Sequence, residues 1–387
     1  MLTCMAQAQN KNYITRVFDF LPAPGQFVNE LPKYNEGEPR DSVLARALQC
    51  LGPNIEVLID YDEDDNPFVV DTIVQPITGS LVSLGSFGGY VTFGFDHPVV
   101  NVPGEYDLQI GGNAFKSDSL AVSGGSSEPG IVMVGIDKDG DGVPSDGDLW
   151  YELAGSEHNN PKTQHDFCIT YYKPDPLQGP VPWTCNSVDS LQSGDVNYLK
   201  QAHRQPYWPL WTDAETLTFS GTKLPCNAID MNGNGSYYVQ FFFEWGYVDC
   251  KPDFKWDTPV EQANPSMQNV GFKLDWAVDS DGNPVNLTKV DFIKVYCGLL
   301  QECGWLGETS TEVAGAIDLH PDAPVPEDPQ IVGDITGDGR VDVSDVNVII
   351  NMMLGKMEQT PAVDLNNDGK VDVSDVNAVI NLMLGKV

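Results

Sequence analysis

Alternation of apolar and polar residues with a period of two dominates the middle of the chain. The stretches 88–95, 105–110, 131–136, 168–172, 237–243 and 290–296 all follow it. Successive side chains of a strand point to opposite faces, so the pattern predicts short strands with one buried face. Turn-forming runs such as 232–235 (Asn-Gly-Asn-Gly) and 279–282 (Asp-Ser-Asp-Gly) separate them, with no β–α alternation. The expected architecture over 79–318 is a β-sandwich or jelly roll. Residues 13–78 mix apolar runs with Pro-Gly and acidic turns, and 39–51 carries Val43, Leu44, Ala47 and Leu48 at helical spacing behind Pro39. This predicts an α+β region packed on the sandwich.

After a Pro-rich acidic linker at 319–330, the apolar period becomes helical. The runs 346–354 and 376–384 each close on a glycine, Gly355 and Gly385, suited to a helix C-cap. An acidic loop precedes each run. Asp334, Thr336, Asp338, Asp342 and Asp345 occupy positions 1, 3, 5, 9 and 12 of the first loop, with Gly339 at position 6. Asp364, Asn366, Asp368, Asp372, Asp375 and Gly369 repeat the arrangement. Alternate oxygen-bearing side chains with one backbone carbonyl converge on Ca²⁺ in such loops, and the glycine permits the sharp turn.

Two loop-then-helix repeats, without the helix that precedes the loop in an EF-hand, resemble the type I dockerin module over 331–387. That resemblance implies a small all-α unit binding two Ca²⁺, with the carbonyls of Arg340 and Lys370 completing the ligand sets. It implies a cohesin-like partner met through Val343, Ser344, Ile350 and Asn351 in one copy and Val373, Ser374, Ile380 and Asn381 in the other. Near-identical copies would let either face dock. A module this small is expected to fold only with metal bound.

Charge narrows the function classes. The 387 residues include 56 acidic and 21 basic side chains, a formal net charge of −35. Nucleic acid and anionic membrane would be repelled. No run is long enough to span a bilayer. Residues 1–12 contain Ala6-Gln-Ala8, a small-residue pattern like a signal-peptide cleavage site, and are read as a signal remnant. Cys4 as a lipidated residue is the rival; either way the protein is expected to be secreted or on the outer surface. The eight Cys show no zinc spacing, and Cys297 with Cys303 is the closest candidate disulfide pair.

A third acidic loop lies inside the β region. Asp137, Asp139, Asp141 and Asp148, with the Val143 carbonyl, fit the same twelve-residue pattern. Carboxylates this close repel one another unless a cation neutralises them, so a third, structural Ca²⁺ is expected there rather than a solvated turn. The runs 84–97, 128–134, 150–156 and 304–308 resemble secreted or surface proteins of Bacteroidetes, a likeness covering 13–320. It implies a surface location and no known catalysis; some relatives are associated with corrinoid uptake.

Aromatic residues cluster at Tyr207, Trp208 and Trp211 beside His203 and Arg204. Such a group either plugs the end of the sandwich or offers flat faces to a sugar or macrocycle. No hydrolase, P-loop or dinucleotide motif is present. A glycosidase needs two carboxylates roughly 5–10 Å apart, for which Glu128, Glu152 and Glu244 are nominal candidates among many acids. The expectation is a non-catalytic ligand-binding β protein docked through a Ca²⁺-dependent module, in polysaccharide capture or breakdown. The alternatives are corrinoid or nutrient capture beside an outer-membrane transporter, and a glycoside hydrolase.

Overall fold

The computed structural model describes residues 11–61, 67–75, 80–117, 123–187, 192–201, 203–252, 259, 261–265, 267–326, 332–336, 341–357, 363–366, 368–384 and 386, and for 54–61 and 67–75 the backbone alone. Cys4 and positions 1–10 of the expected signal remnant lie outside the described residues. The chain divides into two units, Met1–Val325 and Pro326–Val387. It is mainly β, with two C-terminal helices.

In the N-terminal unit the largest sheet has six antiparallel strands, in the order Arg16–Leu21, Tyr90–Gly94, Phe292–Cys297, Gly130–Ile136, Leu149–Leu153, Ala277–Val278. Its two central strands are almost wholly buried, as continuous runs such as Ile131-Val-Met-Val134 require. A four-stranded antiparallel sheet, Ser193–Val196, Val181–Cys185, Gln164–Tyr172 and Thr216–Lys223, presents Phe167, Ile169, Tyr171, Leu217 and Phe219 to the same core. Phe87 meets Phe167 edge to face at 4.8 Å, and the Thr222 amide donates to Tyr296 Oη at 2.9 Å. Alternation along Thr216–Lys223, with alternate residues buried, shows a sheet wet on its other side.

Residues 14–51 contribute directly to this core, through Ile14, Phe20, Ala23, Val43, Ala47 and Leu51. Arg16–Leu21 is an edge strand of the six-stranded sheet, and helix α1 (Arg40–Leu51) buries Val43, Ala47 and Leu51, one face at i, i+4 and i+8. Pro39 stands at its N-cap and the Gly52 amide closes it on the Leu48 carbonyl at 2.7 Å. A second four-stranded sheet, Ala228–Asp230, Tyr238–Phe241, Gly124–Ser126 and Phe115–Lys116, supplies one wall of a cavity described below. Cys297 and Cys303 are free thiols and do not bridge. The buried Cys297 thiol lies within reach of the Leu299 and Thr309 carbonyls instead, and burial pushes its pKa up to about 12.

The C-terminal unit consists of helices α2 (Val343–Met353) and α3 (Val373–Met383), each behind one acidic loop. Val346, Ile349, Met352, Val363, Val376 and Val379 form its core. The predicted runs begin three residues late, because the polar first turn of each helix reads as loop. The glycine also sits one place beyond the cap: Leu354 is the C-cap, and Gly355 follows with φ +67°. Gly385 lies outside the described residues.

Candidate functional site

In each C-terminal loop, two carboxylates serve the loop and the helix together. Asp342 is the N-cap of α2 and accepts from the Ser344 amide at 2.7 Å, while Asp345, at N3, accepts from the Asp342 amide at 2.8 Å. This reciprocal capping box satisfies two otherwise orphaned donors. Asp372 and Asp375 repeat it at 2.8 and 2.9 Å. The loop positions 9 and 12 are therefore the helix positions N-cap and N3.

The buried carboxylate of Asp345 also accepts from the amides of Ile335 and Thr336 at 2.8 and 2.9 Å, tying the loop's two ends together. Asp375 does the same for Leu365 and Asn366 at 2.9 and 3.4 Å. Burial raises the Asp345 pKa, but the amides of Asp342, Thr336 and Ile335 outweigh it and the group lies below its ordinary value. At position 1 of the second loop, Asp364 accepts from Asp368 and Gly369 at 3.0 and 2.7 Å. Hard oxygen donors folded round one turn fit Ca²⁺. Thr336 turns its hydroxyl to Asp345 at 2.9 Å, a weaker donor to metal than the Asn366 amide oxygen. Asp338 and Arg340 lie outside the described residues; Lys370 is described, and its amide donates to Asp368 at 3.0 Å.

The positions expected to face a partner form matched sets. Val343 and Val373 are 63% and 61% exposed, Ile350 and Ile380 39% and 37%. Ser344 and Ser374 are half-buried, as is Asn351, whereas Asn381 is exposed.

The third acidic loop is the hairpin connection between Gly130–Ile136 and Leu149–Leu153. It shares the skeleton of the other two. Asp137 accepts from Gly140 and Gly142, both at 2.8 Å, and Asp148 accepts from Lys138 at 3.0 Å and Ser145 at 2.6 Å. Carboxylate oxygens of Asp137, Asp139 and Asp141 lie within 4.8 Å of one another. The Val143 amide donates to Asp141 at 2.7 Å.

The aromatic cluster offers no open platform. Tyr207 and Trp208 are buried, and Trp211 is packed against the core, stacked on Phe20 at 5.5 Å. Asn29 makes the burial possible: its amide donates to the carbonyls of Pro206 and Trp208 and accepts from the Leu210 amide, so the loop's backbone needs no water. His203 is wedged between Phe27 and Tyr207, and burial lowers its pKa. Arg204 is exposed.

Another concavity lies elsewhere. A cavity of about 1000 Å³ is bounded by Phe115, Tyr237, Tyr238 and Trp305, and Glu128, Glu308 and Glu312 line it. Of the nominal acids, Glu128 alone belongs to this cavity. Glu244 is exposed, and Glu152 bonds His158 at 3.1 Å and Thr222 at 2.6 Å. Glu152, His158 and His165 bring three donor atoms within 4.8 Å of one another, a set able to hold a borderline metal such as zinc. Spacing in the sequence gives no hint of either group.

Among the described residues no helix is long and apolar enough to cross a membrane. No curated protein matches the chain. The family model of the dockerin type I domain matches residues 332–384, which implies docking on a cohesin and Ca²⁺ binding. The C-terminal unit, with its paired loop-and-helix repeats, is a dockerin type I domain.

Proposed function

We propose that the chain is a secreted or cell-surface, non-catalytic ligand-binding protein that captures polysaccharide while docked on a cohesin. The observation that carries this reading is the dockerin domain with its matched exposed faces. In this reading Val343, Ser344, Ile350 and Asn351 make one docking face, and Val373, Ser374, Ile380 and Asn381 the other. Two Ca²⁺ organise them, on Asp334, Thr336, Asp338, Asp342, Asp345 and the Arg340 carbonyl, and on Asp364, Asn366, Asp368, Asp372, Asp375 and the Lys370 carbonyl. A third Ca²⁺ pins the hairpin loop through Asp137, Asp139, Asp141, Asp148 and the Val143 carbonyl, in a unit read as a β-sandwich or jelly roll. The resemblance to Bacteroidetes surface proteins supports the location.

The cavity favours one alternative, since about 1000 Å³ also accommodates a large nutrient such as a corrinoid. A glycan array of the full-length protein, in calcium and in chelator, tests the polysaccharide reading. Specific glycan binding is expected; a blank array with tight corrinoid binding would transfer the function to nutrient capture.

A further inference from the structure

The cavity in the N-terminal unit places carboxyl groups where water is scarce and no cation attends them. Glu308 and Glu312 are 5% and 4% exposed, and Glu128 is half-buried. Glu308 Oε2 accepts from the Gln26 amide at 3.0 Å, but its buried Oε1 has no hydrogen-bond partner among the described residues. Among the described residues none of the three forms an ion pair, although Lys116 and His203 also line the cavity. Burial pushes the Glu308 pKa up to about 8. Glu128 is held well above the usual carboxylate range by burial, then by the charges of Glu312, Asp249 and Glu308, and by a hydrogen bond with Glu312. Ionising such carboxyls in the absence of a cation is costly, so they keep their protons, and a positive ligand would offset that cost.

The walls indicate what kind of cation fits. Trp305 and Phe115 are 67% and 61% exposed, and Tyr237 stands beside them. Aromatic faces attract ammonium groups and cover the apolar body that carries them. A bare divalent ion needs neither this volume nor these faces. Asp249, the carboxylate that would complete an ion site with Glu128 and Glu312, already receives the amides of Asn113 at 2.7 Å and Glu312 at 2.9 Å. Carboxylate oxygens of Glu128 and Glu312 lie within 4.8 Å of each other.

We propose that this cavity binds a ligand bearing a protonated amine, seated against Glu308, Glu128 and Glu312 with its body on Trp305, Phe115 and Tyr237. An amino-sugar polymer satisfies this seat and the polysaccharide reading on which the proposal rests. A free polyamine shares the chemistry.

Titration calorimetry of the full-length protein separates these cases, using a deacetylated glucosamine oligosaccharide, its N-acetylated counterpart, spermidine and CaCl₂ alone. The deacetylated oligosaccharide is expected to bind at least about tenfold more tightly than the acetylated one, and Glu308→Gln to weaken it by at least about tenfold. Trp305→Ala, at an exposed position, is expected to weaken it too, with the circular dichroism melt unchanged. Spermidine binding that Glu308→Gln weakens supports the seat and, without any glycan binding, overturns the polysaccharide reading alone. Acetylated or neutral glycans binding as well as the amine overturn the seat and leave that reading standing. Failure of both amines, or calcium binding that Glu308→Gln abolishes, also overturns the seat.

Discussion

The backbone amide of Ile335 donates to Asp345 Oδ1 at 2.8 Å, joining the second position of a calcium loop to its twelfth. The same carboxylate holds the N-cap amide of α2. Loop closure and helix initiation are thus one event, and a cation drawing oxygens together strengthens both. Chelation is expected to unfold the C-terminal unit and leave the β unit folded. Helical circular dichroism and limited proteolysis in EGTA check this; a protease-resistant 332–384 segment in chelator would falsify it.

Replacing Asp342 or Asp372 by Ala removes an N-cap and, on the proposed function, a metal ligand with it. The cap alone contributes about 1 kcal/mol, so either change should lower the stability of the C-terminal unit in calcium by more than that. In chelator, where the unit is already unfolded, the change should have little effect. Denaturant melts of the wild type and both variants, with and without calcium, measure the difference.

On the proposed function, the matched faces of α2 and α3 would make docking redundant. Val343→Asp with Ile350→Asp should leave cohesin binding nearly unchanged, as should Val373→Asp with Ile380→Asp. All four together should abolish it. Titration against a panel of cohesin modules decides the point, and a large loss from either pair alone would mean that one face does all the docking.

The β unit should lose stability as pH rises. Burial pushes the Glu308 pKa up to about 8, whereas an unfolded glutamate ionises near 4.5. Between these values the native state binds more protons than the unfolded state, so unfolding becomes easier with increasing pH. Glu302, Glu312, Glu128 and Asp249 reinforce this direction by repulsion; Lys116, His203 and Cys303 also line the cavity or its edge. The shift corresponds to a few kcal/mol, on the order of 1.4 per pKa unit. Glu308→Gln should flatten the profile of Tm against pH between 5 and 8.

Calcium should stabilise the β unit through the hairpin loop. Binding at a hundredfold excess over Kd adds about 2.7 kcal/mol, and Asp137→Ala should remove the calcium-dependent part of the β unit's Tm. No calcium response of that transition in the wild type would refute a third site.

What was legible in the sequence was local. The oxygen-bearing positions of each loop lie within twelve residues, so the loops could be read, whereas the capping box at positions 9 and 12 reads as loop and puts the expected helix starts three residues late. The strands around Ile131–Ile136 and Phe292–Cys297 were legible because their apolar runs are long. The cavity was not, since Phe115, Glu128, Tyr237 and Trp305 meet only through tertiary pairing. One signal was available: Glu308 and Glu312 bracket Thr-Ser-Thr, two acids in a stretch with no base to offset them. The Tyr207–Trp208 cluster left a plug and an open platform both standing, because nothing near it in sequence reveals Asn29, whose amide lets that loop be buried.

The position of Phe292–Cys297 between Tyr90–Gly94 and Gly130–Ile136 has a kinetic consequence. The middle of the largest sheet is completed by a strand from the far end of its unit, so these pairings carry a high loop-closure cost and form slowly. Until that strand arrives, two buried strands present open edges prone to association with other chains. The loop-and-helix repeats, built from near neighbours, face no such delay once calcium is present. Topology therefore favours an order in which the two loop-and-helix repeats mature before the β unit closes its largest sheet.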